Sequence, residues 1–262
     1  MVVVVGLYLF PSLFPARVQV ALLDKLLHRD LSNPQHRTNL HLHYDIPYPR
    51  AADEAGKPQT TSAASFFASV NTEPLRPKDP LVHKPITISQ MLRRKLRWMT
   101  LGGQYDWTNK VYPEEAPQPF PSDIATLFKG LFPRVEAQAA IVNLYTPGDT
   151  LSVHRDVSEE CDRGLISVSI GCEGIFIVGN DDGSRSVTIR LRSGDAILMD
   201  GESRYAWHAV PRILPHTCPG WLASWPDLPP AHKFQDWTGW MESKRVNVNV
   251  RQMKIEKSLI HP

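Results

Sequence analysis

From residue 137 onward the chain runs as short β-rich segments separated by turn formers: AAIVNLY, TLSVHRD, LISVSIG, GIFIVG, SVTIRL, AILMD, SRYAWHAV and RVNVNVRQ. Short strands at such regular spacing suggest a sandwich or a barrel. A double-stranded β-helix of the jelly-roll kind has the right size, and the mouth of such a barrel can hold a small ligand. The expected fold class is mainly β with flanking helices around that core.

The segments outside this series read differently. RVQVALLDKLLHR, residues 17 to 29, carries apolar positions at helical spacing, and DLSNPQHRTN ends the helix with turn formers. Residues 48 to 82, rich in Pro, Ala, Ser and Thr around Phe66 and Phe67, read as an insert laid over the surface. ITISQMLRRKLRW, 86 to 98, is a short helix or strand. The segment 211 to 240 interrupts the β series; it is too long and Pro-rich for a hairpin and reads as a functional loop. The opening MVVVVGLYLF is apolar, but Pro11 interrupts it and no basic region precedes it. A buried strand is expected there rather than a signal peptide or a membrane span. The chain thus divides into an N-terminal extension, 1 to 85, and a main domain, 86 to 262.

Charge adds little at the level of the whole chain: 29 basic against 27 acidic side chains leave a formal +2. Any surface attractive to nucleic acid must be local, and Arg93, Arg94, Lys95 and Arg97 form such a cluster. Three cysteines without a CxxC pair indicate neither a disulfide framework nor a structural zinc site. They fit an intracellular, reducing compartment. No membrane association is expected, and the chain is expected to be a monomer.

Two His-x-Asp pairs are candidates for a metal, His43 with Asp45 in HLHYD and His154 with Asp156 in LSVHRD. Strand alternation puts Ser152, His154 and Asp156 on one face. A turn, PGD, precedes that strand and about fifty residues of β-rich sequence follow it, ending at His208 on a face shared with Arg204 and Ala206. His43 and Asp45 have no such continuation, and His216, the competitor for third ligand, sits in the loop LPHTCPG. Two histidines and one carboxylate form the facial triad that leaves open positions on ferrous iron.

A triad alone is also compatible with zinc or with a non-enzymatic relic. RVNVNVR decides against both. Arg245 and Arg251 project from one face of a late strand that holds no acid, and buried arginines need carboxylate partners. A dicarboxylate cosubstrate supplies two. Asn143 and Tyr145 share a face upstream and offer an amide and a phenol to the same ligand.

The combined motifs NLYTPGDTLSVHRD, ISVSIGCEGIFIVG, SGDAILMDGESRYAWHAVPR and RVNVNVRQ resemble the AlkB family of iron and 2-oxoglutarate dependent dioxygenases, from about residue 96 to 254. TLGGQYDW, AWHAVPR and HRDLSNPQHRTNLHLHYD look closest to its eukaryotic branch, AlkB homologue 1, in a fungal form. The resemblance implies that His154, Asp156 and His208 bind Fe(II). It implies that Arg245 holds the distal carboxylate of 2-oxoglutarate with help from Asn143 and Tyr145. Arg251 then lies near the iron-chelating carboxylate, and Asn247 supports the network. With O2 as the third reactant, an N-methyl group is hydroxylated and leaves as formaldehyde.

The family's nucleic-acid substrates present an unpaired or extruded base, held between aromatic side chains. Trp98, Tyr105 and Trp107 are the candidates, within a nucleotide-recognition segment at about 86 to 112 in which Arg93, Arg94 and Lys95 meet the backbone. Arg204, in GESR, is expected either at the substrate or in a salt bridge to Asp156. Bacterial AlkB has an acid two residues after the metal carboxylate, where this chain has Ser158. Candidate substrates are N6-methyladenine in DNA and methylated tRNA bases such as N1-methyladenine. The alternatives are a protein hydroxylase or histone demethylase with the same iron centre, and a non-catalytic nucleic-acid-binding module.

Overall fold

The computed structural model describes residues 5–49, 65–68, 74–106, 112, 117–180, 183–230 and 232–254. Its first five strands are β1 (Leu7–Phe10), β2 (Tyr44–Asp45), β3 (Pro74–Pro77), β4 (Ile86–Thr87) and β5 (Trp98–Gly102). The β-rich half supplies β6 (Ala139–Tyr145), β7 (Leu151–His154), β8 (Leu165–Gly171) and β9 (Gly174–Gly179). It continues with β10 (Ser186–Leu191), β11 (Ala196–Met199), β12 (Trp207–Ile213) and β13 (Arg245–Arg251). Each of those β-rich runs contains a strand, but Ser203, Arg204 and Tyr205 of SRYAWHAV lie in a short 3-10 helix, Gly201–Tyr205, so Arg204 does not share a strand face with His208.

A six-stranded sheet in the order β1-β11-β8-β13-β6-β5 faces a four-stranded sheet in the order β10-β9-β12-β7, and β2-β3-β4 form a small third sheet. All pairings are antiparallel. This is the double-stranded β-helix. Alternation divides the large sheet into two faces. Val246, Val248 and Val250 join Val142 and Leu144 in the main core, against Leu22, Leu23, Leu26 and Leu27 of the helical stretch Ala16–Asp30. Those leucines recur at helical spacing, and each contributes about 1.5–3 kcal/mol on burial. The opposite face, with Arg245, Asn247 and Arg251, looks between the sheets.

Residues before 86 share this core. Phe14, Leu40, Phe66, Phe67 and Leu75 pack in one cluster with Val248. The opening strand differs from expectation: Tyr8 and Leu9 of β1 are exposed. β1 is the sheet's edge, paired only with β11, so its outward side chains meet no neighbouring layer. The segment after β12 is irregular, as expected of a long loop, and it is packed into the core. Its buried indoles each have a hydrogen-bond acceptor: Trp225 donates to Asp24 Oδ1 at 2.8 Å, Trp237 to the Phe67 carbonyl at 2.9 Å, and Trp240 to the Leu92 carbonyl at 3.2 Å. All three cysteines are free. No helix among the described residues is long and apolar enough to cross a membrane.

Candidate metal centre and its arginines

β7 and β12 lie side by side in the four-stranded sheet and place His154 across from His208, with ring centroids 4.3 Å apart. His154 Nδ1 lies 2.8 Å from the Ser152 carbonyl and His208 Nδ1 lies 3.0 Å from the Ala206 carbonyl. Each ring therefore donates from Nδ1 and leaves the Nε2 lone pair for a metal. Asp156 Oδ2 is 3.7 Å from His208 Nε2, and one ligand atom from each of the three residues lies within 4.8 Å of the others. Burial lowers the His208 pKa, which favours the neutral imidazole that coordinates. Burial alone would raise the Asp156 carboxyl, but Arg251, both histidines and Arg204 hold it below the ordinary carboxylate range. Among the described residues no other such group exists. The His43 and His83 rings lie 4.5 Å apart, tilted by 50°, and Asp45 is opposite Arg76 in the β2–β3 register.

The two arginines of β13 have different surroundings. Arg251 Nη1 donates to Glu159 Oε1 at 2.9 Å, and its two terminal nitrogens lie 3.5 Å from the Asp156 carboxylate oxygens. Arg204 reaches the same pair from another side, donating to Glu159 Oε2 and to the Asp156 main-chain carbonyl, both at 2.7 Å. The expected Arg204–Asp156 salt bridge is thus corrected: Arg204 holds Asp156 by its backbone, and its carboxylate partner is Glu159. Glu159 is wholly buried between two guanidinium groups. Sequence reasoning missed it. The available signal was an acid three residues after Asp156, in the same stretch between β7 and β8, together with arginines that needed one.

Arg245 is 1 % exposed, yet no acid among the described residues pairs with it. Its Nη2 donates to Ser169 Oγ at 2.9 Å, while Nε and Nη1 have no hydrogen-bond partner. The Tyr145 ring centre lies 5.5 Å from its guanidinium carbon, and the Tyr145 hydroxyl is likewise without a partner. Burial pulls the Arg245 pKa down, with Tyr145 opposing. Gly174 makes the space, since a Cβ there would sit 2.8 Å from Arg245 Nε. A buried cation with two idle donors beside an idle phenol fits a carboxylate from outside the chain. The residues therefore fit 2-oxoglutarate at Arg245 and Tyr145. Asn143 is half-buried on β6, opposite Asn247. Asn247 itself spends its amide on β8, donating to Ser167 Oγ at 2.7 Å and to the Val168 carbonyl at 3.0 Å.

Of the expected substrate residues, Tyr105 and Ser158 come together, hydroxyl to hydroxyl at 3.2 Å. Trp98 is half-buried on β5 opposite Asn143. Trp107 lies outside the described residues. Arg93, Arg94 and Lys95 are exposed on the one-turn helix Met91–Lys95. They are not beside Tyr105. β5 runs from Trp98, next to Asn143, to Gly102, next to Ala139, and so separates the basic cluster from Tyr105 by roughly 15 Å. The described residues 86 to 106 thus present two separate surfaces instead of one platform, because a strand is extended where a helix would have kept them close.

A jelly roll with a His-Asp-His donor set and an acid-free buried arginine defines an iron- and 2-oxoglutarate-dependent oxygenase. The sequence profile of the 2OG-Fe(II) oxygenase superfamily matches residues 57–251, and the chain belongs to that superfamily. Its cofactor and cosubstrates are Fe(II), 2-oxoglutarate and O2. Its relatives are AlkB-type demethylases. The N6-methyladenosine RNA demethylase ALKB1 of Pyricularia oryzae is 52% identical over 95% of this chain and 74% of its own length. The tRNA demethylase abh1 of Schizosaccharomyces pombe is 35% identical over 95% of this chain and 79% of its own. The solved structure of OsALKBH1 shares the fold, with a TM-score of 0.57 at 18% identity over 94% of this chain and 96% of that one.

Proposed function

We propose that the chain oxidatively demethylates N-methylated bases in nucleic acid, with N6-methyladenine in RNA as its substrate. The observation that carries this reading is the hydroxyl pair of Tyr105 with Ser158, two residues past Asp156. A cationic base such as N1-methyladenine gains from a carboxylate two residues after Asp156, where this chain has Ser158, and the residue that follows, Glu159, is closed off between Arg204 and Arg251. N6-methyladenine is uncharged and needs none. The fungal relative at 52% identity is named for that substrate.

When bound, Fe(II) with 2-oxoglutarate and O2 supplies the oxidation: one oxygen atom goes to succinate, formed with CO2, and the other to the N-methyl carbon. The hydroxymethyl group then leaves as formaldehyde and the amine takes back its proton. The chain positions the reactants. Arg245 and Tyr145 hold the far carboxylate of the cosubstrate, His154 and His208 present their Nε2 atoms, and Glu159 with its two arginines fixes Asp156. An unpaired base reaches the centre with the least loss of stacking and pairing. We place the enzyme, as a monomer, in an intracellular reducing compartment.

Mass spectrometry of nucleosides from RNA and DNA, before and after incubation with the chain, tests the reading. Loss of N6-methyladenosine from RNA with matching formaldehyde is expected. Preferential loss of N1-methyladenosine, loss confined to DNA, or succinate release driven only by peptides would overturn it.

A further inference from the structure

Outside the metal site, a pocket of about 450 Å³ is lined by Arg93, Arg94, Arg97 and Lys244, with Thr146 and Trp240 among its walls. It lies at the end of β13 where Arg245 begins, six residues and roughly 20 Å from Arg251 at the other end. Four cations converge there in a chain whose formal charge is only +2.

The carboxylate among them is Asp149. It takes an ion pair from Arg97 and hydrogen bonds from Thr146, all on Oδ2. Arg93 donates to the Asp236 carbonyl at 3.1 Å and lies over the Trp237 ring at 5.0 Å, so its charge stays uncompensated by that contact. Arg94 makes no hydrogen bond or ion pair among the described residues, and its side chain is exposed at the rim. Lys244 is the telling member: it is 6 % exposed, and its Nζ donates to the Arg93 carbonyl at 2.6 Å. No carboxylate among the described residues forms a salt bridge with it. Burial brings its pKa down to about 8, against the pull of Asp149. An ammonium held this way among three arginines is stabilised by an anion entering the pocket.

The donors select the anion. Two guanidinium forks and a point-charge ammonium, set round an open cavity, suit a tetrahedral group with several exposed oxygens better than a planar carboxylate. The volume admits a phosphodiester with part of its flanking sugars. We propose that this pocket binds a backbone phosphate of the nucleic-acid substrate, several nucleotides from the base at the metal. The proposal rests on the demethylase reading above.

Fluorescence anisotropy of a single-stranded RNA carrying N6-methyladenosine, measured over a series of salt concentrations, provides the test. Arg94→Ala is expected to weaken binding about fivefold and to flatten the log–log salt slope by about 0.7, one phosphate contact on a single strand. Lys244→Met should act in the same direction, and because Arg94 is exposed, its variant keeps the test valid where the buried change disturbs folding. Arg17→Ala removes the same charge from the exposed face of the first helix and should leave the slope unaltered. Slopes for Arg94→Ala and Arg17→Ala that coincide would overturn the proposal. So would inorganic phosphate that binds the parent but not Lys244→Met, seen by phosphorus NMR line broadening, while RNA affinity is equal in both. Formaldehyde release from the same RNA by the parent chain separates the two claims: release with unaltered slopes rejects the pocket alone, whereas absence of both binding and release rejects the demethylase reading with it.

Discussion

The two arginines at the ends of β13 share a strand, a face and near-complete burial, yet their environments are opposite. Arg251 meets Glu159 at 2.9 Å and the Asp156 carboxylate at 3.5 Å. Arg245 meets one serine hydroxyl and a phenol that itself lacks a partner. The difference separates structure from reception. A buried cation with its acid supplied by the chain is a strut, and the fold needs both partners present. A buried cation without one is a receptor, held ready by the surrounding sheet at some expense to stability.

The largest effect is expected where the strut meets the metal. Asp156→Ala or His208→Ala should abolish iron binding and reduce succinate release to background, while circular dichroism remains that of the parent. His43→Ala should leave both intact. Metal content by mass spectrometry checks this, and near-normal succinate release from Asp156→Ala would mean the triad is wrongly assigned.

Glu159→Gln tests the strut itself. Breaking a buried pair by neutralising one side costs about 3–5 kcal/mol, and loss of support behind a metal ligand lowers iron affinity about 10–100-fold. Urea unfolding and iron titration measure the two parts. Stability equal to the parent's would remove Glu159 from its structural role.

Arg245→Met should do the reverse. Stability is expected to hold or rise, because an unpaired buried charge is removed, while 2-oxoglutarate binding weakens by about 1.5–3 kcal/mol, roughly ten- to a hundredfold. Calorimetric titration of the cosubstrate decides. Unchanged affinity, or a loss of stability as large as that of Glu159→Gln, would erase the contrast between the two arginines.

The smallest effect concerns Lys244, one residue before Arg245. Its pKa in the folded chain, about 8, lies below that of an ordinary lysine, so folding disfavours the bound proton. Stability should therefore rise as pH increases from about 8 toward the ordinary lysine range. Asp149 opposes the shift, while Arg93, Arg94 and Arg97 reinforce it. Lys244→Met should lack this rise, so that the difference between the two chains changes as pH increases above 8. Urea midpoints of the two chains across that range give the comparison.

The strands and the metal triad were legible because both are written in local alternation. RVNVNVR sends three valines to the core and its odd-numbered residues to the site. LSVH and WHAV place the two histidines by the same rule, with Asp156 two residues past the end of β7, and pairing of β7 with β12 then sets His154 opposite His208. The opening strand misled because apolar composition does not say whether a strand is central or at an edge. The packing of the segment after β12 was not legible because prolines and turns mark irregular backbone, which is compatible with burial once each indole nitrogen finds a carbonyl or a carboxylate.

By itself, the sequence determined the β series, the facing of its side chains and the spacing of the three metal ligands, since each depends on the two-residue period of an extended chain. Only the tertiary structure decided which charges are paired. Glu159 reaches Arg204 across 45 residues and Arg251 across 92, and Lys244 meets the Arg93 carbonyl across 151. No local pattern encodes such pairings, because Coulomb energy and desolvation depend on distance and burial in space. The same rule left Arg245 without an acid, and so made it the place for a carboxylate that the chain does not contain.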